Sequence, residues 1–290
     1  MKKLTFYFWI VPQIFMEIFF LGTGGGRFSI ITQKRRTGGI RIIADKVNMH
    51  LDPGPGALIY SLENGLDPRK INMILISHAH PDHYTDGEIL VEAMTGGALK
   101  KSGCLICARS VTTGNENCGP AISRYHKNLP SEVVELKAGE KYVKENIKVE
   151  AVKAVHYDPD TVGFKITFSE GFTLGYTSDT EYFEGAGKVY ENVDLLILCV
   201  IRPRNSPLEW HMCVDDSIKI LGEAKPKKAI ITHFGMRMIT HTKPEVEAKY
   251  IEEQTGIPTI AAYDGMQFKL GKLKEERKVK VEKKDLTSFF

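Results

Sequence analysis

Apolar residues in this chain fall in short runs, each closed by Gly, Pro, Asp or Asn, with amphipathic segments between them. That pattern predicts alternating strands and helices from Met16 onward. "EIFFLG" reads as a strand running into the Gly-rich "GTGGGR", and "RIIADKVNMHLD" carries strand signals as far as Asp52, before the turn "PGPG". "ALIYSLENG" reads as a helix stopped by Gly65. "INMILIS" reads as a buried strand and "DGEILVEAMTGG" as the helix after it. "GCLICA", "SEVVELK" and "NIKVEAVKAVH" follow as strands, the last ending at His156. "VGFKITF" and "FTLGYTSD" read as a hairpin turning at "SEG" and ending at Asp179. In the second half, "DLLILCV" is a buried strand, "VDDSIKILGEA" a helix and "KAIITH" a strand ending at His233. "PEVEAKYIEEQTG" is a further helix, and "PTIAAYDGMQFKL" closes with strand signals. No repeat or linker divides the chain, so residues 16–271 read as one α/β domain.

Composition narrows the reading only slightly. The chain has 290 residues, 42% hydrophobic and 26% charged, which is ordinary for a globular protein. Its net charge of +3 is too small to argue for nucleic acid or membrane by itself. Five cysteines make no disulfide framework. Cys104 and Cys107 fall in a strand, where their side chains point to opposite faces, so they read as buried thiols rather than a metal pair. A reducing cytoplasm fits best. The N-terminus imitates a signal peptide, yet no small-residue cleavage site follows, and Pro12 and Gln13 leave the apolar run too short to span a membrane. Residues 1–15 therefore read as an extension ahead of Met16, as a misassigned start codon would produce. The charge-rich residues 272–290 read as a solvated tail or a terminal strand pair.

The candidate chemistry lies in "ISHAHPDHYTD". His78, His80, Asp82 and His83 stand together straight after an apolar strand, and nothing structural requires that combination. His78, His156, Asp179 and His233 each follow an apolar strand at its C-terminal end. Strand ends at one rim of a sheet can converge although they lie far apart in sequence.

Those residues, in that order, resemble the metallo-β-lactamase superfamily, from Met16 to about Leu270, with Asp52 in "HLDPGPG" as a fifth element. The resemblance implies a four-layer αββα sandwich with the site at one edge. It implies one metal on His78, His80 and His156, a second on Asp82, His83 and His233, and Asp179 bridging the two. Three neutral imidazoles suit Zn2+, while a site of His and carboxylate is harder and also takes Mn2+ or Fe2+. Two adjacent cations lower the pKa of a shared water and supply hydroxide at neutral pH. Asp52 is expected to orient a ligating histidine.

"VHYDPDTVGFKI" lacks the Thr-Gly pair usual in thioesterases and β-lactamases of the superfamily and resembles the phosphodiesterase and tRNase Z branch. "EWHMCVDDSIKILGEA" supports that branch through His211, with Cys213 where a Ser or Thr cap is usual and Asp216 three residues on. His211, with Asp82, is the candidate catalytic residue. The expected function is a dinuclear metallohydrolase using metal-bound hydroxide on a small-molecule or single-stranded nucleotide phosphodiester. No tRNA-gripping arm separates His156 from Asp179. A lactone or carboxyl-ester hydrolase is the nearest alternative. An oxygen-reducing di-iron module and a non-catalytic binding protein stand further off, and a homo-oligomer is left open. Arg27 is a candidate contact for an anionic substrate, and the Gly-rich loop reads as a tight turn. "QKRRTGG" reads as a solvated loop, while His50, His126 and His241 have no motif context.

Overall fold

The computed structural model describes residues 13–272, apart from Asp45, Glu145, Asn146 and Glu170. The expected extension and tail therefore lie almost wholly outside the described residues. The strands are β1 (Gln13–Gly22), β2 (Thr37–Ala44), β3 (Val47–Leu51), β4 (Met73–Ile76), β5 (Cys104–Cys107), β6 (Glu132–Glu135), β7 (Lys141–Lys144), β8 (Ile147–Lys153), β9 (Val162–Phe168), β10 (Thr173–Tyr176), β11 (Leu195–Arg202), β12 (Met212–Cys213), β13 (Lys228–Thr232), β14 (Thr259–Ala261) and β15 (Met266–Lys272). They form a seven-stranded sheet ordered β15-β1-β2-β3-β4-β5-β6 and an eight-stranded sheet ordered β14-β13-β11-β10-β9-β8-β7, with β12 beside β11. Helices Ala57–Glu63 and Gly87–Met94 cover the outer face of the first sheet. Helices Val214–Ala224 and Pro244–Thr255 cover that of the second. This is the four-layer αββα sandwich.

Alternation along β11 shows why the layers hold. Leu195, Ile197 and Cys199 face the core between the sheets. Leu196, Leu198 and Val200 pack with Ile220, Leu221 and Ile251 of the covering helices. Both faces of a central parallel strand are buried, which is why "LLILCV" is apolar throughout. The strand signals between Arg41 and Asp52 belong to two strands that pair as a hairpin, Ala44 against Val47. β7, which the sequence reading left out, is a lysine-bearing edge strand. β8 stops at Lys153, short of His156. β1 begins at Gln13 and lies between β15 and β2, so the strand starts before Met16. No helix among the described residues is long and apolar enough to cross a membrane. Cys104 and Cys107 are buried free thiols, and burial pushes them up to about 11 and about 12.

Candidate metal centre

The C-terminal ends of β4, β8, β10 and β13 deliver the expected residues to one rim. Loops at this rim turn through the left-handed region at Asp52 (φ 48°) after β3, Ser178 (φ 56°) after β10 and His233 (φ 64°) after β13. Non-glycine residues hold such conformations only where surrounding contacts enforce them. His78, His80 and His156 form one cluster of potential ligand atoms, and Asp82, His83, Asp179 and His233 another.

Hydrogen bonds fix the imidazole tautomers in the first cluster. Ser77 Oγ gives its proton to the carboxylate of Asp52 at 2.7 Å, so it can only accept from His78 Nδ1 at 3.1 Å. The backbone carbonyl of Trp210 likewise accepts from His156 Nδ1 at 2.8 Å. Both rings therefore present a lone pair at Nε2. These two lone pairs converge on His80 Nδ1, at 3.0 and 2.9 Å. One proton on His80 could satisfy one of them; a cation satisfies all three. The spacing is close to the roughly 3.3 Å between nitrogens that share a tetrahedral ion at ordinary bond lengths. Burial keeps the rings neutral, as ligands must be: it pushes His78 well below the ordinary imidazole range and His156 down to about 4.

The second cluster is richer in charge. His83 Nε2 lies 3.1 Å from His233 Nε2, while His233 Nε2 lies 3.3 Å from Asp82 Oδ2 and 3.2 Å from Asp179 Oδ1. Asp179 Oδ1 is buried without a hydrogen-bond partner among the described residues. Burial opposes ionisation of Asp82 and Asp179, but the neighbouring imidazoles win and hold both carboxylates ionised. Burial also lowers His83, yet Asp82, Asp179 and Asp52 outweigh it and raise the ring well above its ordinary value. So much negative charge in a buried place is what a divalent cation neutralises. Both clusters fit metal ions.

Asp52 occupies the place expected of it. Its Oδ2 accepts from His83 Nδ1 at 2.8 Å, from Ser77 Oγ at 2.7 Å and from Tyr176 OH at 2.7 Å, while Oδ1 accepts from Ser77 N at 2.7 Å. His211 stands beside the clusters. Its Nε2 lies 3.4 Å from Asp179 Oδ2, its Nδ1 faces the Glu209 carbonyl at 3.1 Å, and its ring packs edge-on against His156. Burial lowers the ring, but its bond to Asp179 prevails and raises it, so it can carry a proton. The helix after His211 is capped by Asp216, whose Oδ2 takes both the backbone N–H (3.2 Å) and the thiol (3.2 Å) of Cys213.

Other features escaped the sequence reading. The Gly-rich loop supports the site directly: Gly26 N–H donates to Asp82 Oδ2 at 2.7 Å. A Cβ at Gly25 would stand 2.2 Å from the His233 ring. The spacing of "GTGGG" before a metal motif is the signal that could have raised this. Trp210 (φ 65°) turns its carbonyl to His156 while its N–H donates to Glu181 Oε2 at 3.0 Å. Ser77 and Tyr176 carried no distinguishing signal. Arg27 lines the cleft over the site, together with Arg202 and Arg237. Arg35 and Arg36 turn elsewhere, Arg35 over Phe234 and Arg36 over Tyr60 with Glu63 at 3.1 Å. His50 is buried against the Gly38 carbonyl, and His126 lies 3.2 Å from both Glu88 and Glu92.

Residues 47–234 match the family described as the beta-lactamase superfamily domain. The chain belongs to the metallo-β-lactamase superfamily. An uncharacterized protein of Methanocaldococcus jannaschii, MJ1374, is 40% identical over 257 residues, covering 88% of this chain and 95% of its own. A ribonuclease Z of Exiguobacterium sibiricum is 23% identical over 298 residues, covering 84% of this chain and 97% of its own. The superfamily fold also appears in the crystal structure of YhfI from Bacillus subtilis, with a TM-score of 0.71 at 17% identity, over 88% of this chain and 99% of that one. Membership makes the chain a superfamily hydrolase with a His/Asp cluster suited to two metal ions.

Proposed function

We propose that this hydrolase is a phosphodiesterase carrying two divalent ions, Zn2+ being the first choice for the histidine-rich half. His78, His80 and His156 would hold one ion, Asp82, His83 and His233 the other, and Asp179 both. Bound there, the ions would supply a nucleophilic hydroxide at neutral pH and neutralise phosphate charge. The observation that carries the reading is His211. An imidazole 3.4 Å from Asp179, which raises it above its ordinary value, with its edge in the cleft, is positioned to donate to a leaving oxygen. Asp52, Ser77 and the Trp210 carbonyl orient the imidazoles, and Gly26 N–H orients Asp82. The relation to a ribonuclease Z supports phosphodiester chemistry. The path from His156 to Asp179 is a plain β9–β10 hairpin, which favours a small or single-stranded substrate over folded tRNA.

His156, Asp179 and His211 could themselves hold an ion, so ligand and acid roles for His211 must be separated by experiment. Metal analysis should give two ions per chain, removed by a strong chelator together with activity. The metal-loaded protein should hydrolyse simple phosphodiesters and leave lactones and thioesters intact. A single ion per chain, unchanged in Asp179→Ala, would sink the dinuclear reading. Lactone turnover without phosphodiester turnover would replace it with an ester hydrolase, and efficient precursor-tRNA cleavage would overturn the size argument.

A further inference from the structure

The cleft over the metal clusters encloses about 1070 Å³, more than a phosphodiester group alone requires. The residues lining it include His80, Asp82 and Asp179 and, besides Arg27, the guanidinium groups of Arg202 and Arg237. Arg202 ends β11 and is half-buried, and Arg237 lies in the helix Met236–Thr240 that follows His233. Among the described residues neither has a carboxylate at ion-pair distance, and Arg237 reaches only Ser206 Oγ at 3.4 Å. The neighbouring Arg204 shows the contrast: it is tied to Glu247 at 3.2 Å and stacked on Tyr250. Burial, then the positive charge of Arg237, lowers Arg202 from the ordinary guanidinium value. Two like charges that repel each other in one cleft, neither with a carboxylate at ion-pair distance among the described residues, are stabilised by an anion from outside. The same cleft exposes apolar surface to an organic group, for Phe28 is 67% and Tyr157 53% exposed.

We propose that Arg202 and Arg237 form a second anion subsite, so that the substrate is a small phosphodiester bearing an additional phosphate group on its organic half. This rests on the phosphodiesterase reading, with the first phosphate at the metal clusters and the second on the arginines. Guanidinium groups bind phosphate in two-pronged fashion, which lets the pair select a terminal phosphate over a single neutral polar group.

The test is calorimetric binding of thymidine 3′,5′-bisphosphate and thymidine 5′-monophosphate to the metal-loaded protein, to Arg202→Gln, to Arg237→Gln and to the double variant carrying both substitutions. Metal content and melting temperature are recorded for each. The wild type should bind the bisphosphate about 10- to 100-fold more tightly, the scale of a charge-assisted hydrogen bond. Each substitution should cut that ratio to within about 3-fold of unity, while Arg202→Lys retains part of it. Arg237 is exposed, so its variant is safe against misfolding. Equal wild-type binding of the two nucleotides, or a preference surviving in the double variant, overturns the proposal. Hydrolysis of bis(p-nitrophenyl) phosphate by the wild type is read separately. Hydrolysis without a bisphosphate preference removes only the subsite. A preference without hydrolysis keeps the subsite and removes the phosphodiesterase reading.

Discussion

Asp52→Asn changes one oxygen for an amide in a place where every neighbour donates. Four hydrogen bonds end on this carboxylate: three on Oδ2, from His83 Nδ1, Ser77 Oγ and Tyr176 OH, and one on Oδ1, from Ser77 N. The hydroxyls can rotate to accept, but a backbone N–H cannot. If the asparagine oxygen takes the Oδ2 place, its NH2 meets Ser77 N–H at the 2.7 Å once held by a hydrogen bond. If the amide is reversed, the NH2 meets His83 Nδ1, which must shed its proton and move it to Nε2, the atom that faces His233. The first orientation leaves the buried Ser77 N–H unsatisfied, at about 1–3 kcal/mol. For a domain of this size that lowers Tm by about 2–12 °C. The reversed orientation instead removes the lone pair at His83 Nε2, and losing such an orienting partner weakens metal binding about 10- to 100-fold, or about 1.4–2.8 kcal/mol. Titration with Zn2+ against a competing chelator should show one of the two ions released at lower chelator concentration than in wild type, the other unchanged. Two ions held as tightly as in wild type, at an unaltered Tm, would refute the reasoning.

His211→Ala should retain both ions and the fold while lowering kcat by roughly 10²–10⁴. The loss should be smaller for a leaving group of low pKa, and loss of an ion would make His211 a ligand instead. His50 supplies a pH test away from the metal clusters: its Nε2–H donates to the Gly38 carbonyl at 2.9 Å, and its Nδ1 is buried without a hydrogen-bond partner among the described residues. Burial first, then the charge of Arg41, depresses it to about 3. The unfolded chain therefore binds the extra proton at higher pH, so the neutral ring's stabilisation is whole above the unfolded value of 6.5 and is lost as pH falls toward 3. The slope is about 1.4 kcal/mol per pH unit. Unfolding free energies of wild type and His50→Gln from urea titrations between those limits should diverge by that slope, and parallel profiles would refute it.

The candidate metal centre was legible in the sequence because its His and Asp residues follow apolar strands whose C-terminal ends meet at one edge of the sandwich, β4 from the seven-stranded sheet and β8, β10 and β13 from the eight-stranded one. Asp52 was legible for the same reason, at the end of β3 beside β4. Most of the layers could be read as well, since β11 needs apolar residues on both faces and the outer helices on one. Tertiary structure alone decided the partners that lack a motif. Ser77 joins His78 to Asp52, Tyr176 reaches Asp52 from the other sheet, and a strained Trp210 offers a carbonyl rather than a side chain. Gly26 does the same for Asp82 with a backbone N–H, a group every residue but proline possesses. The arginines show the limit most plainly. Five basic residues at Lys34, Arg35, Arg36, Arg202 and Arg237 look alike in sequence. Only packing ties Arg35 and Arg36 to Phe234, Tyr60 and Glu63 and leaves Arg202 and Arg237 facing the cleft, because a charge's role depends on which counter-charge the fold brings within reach.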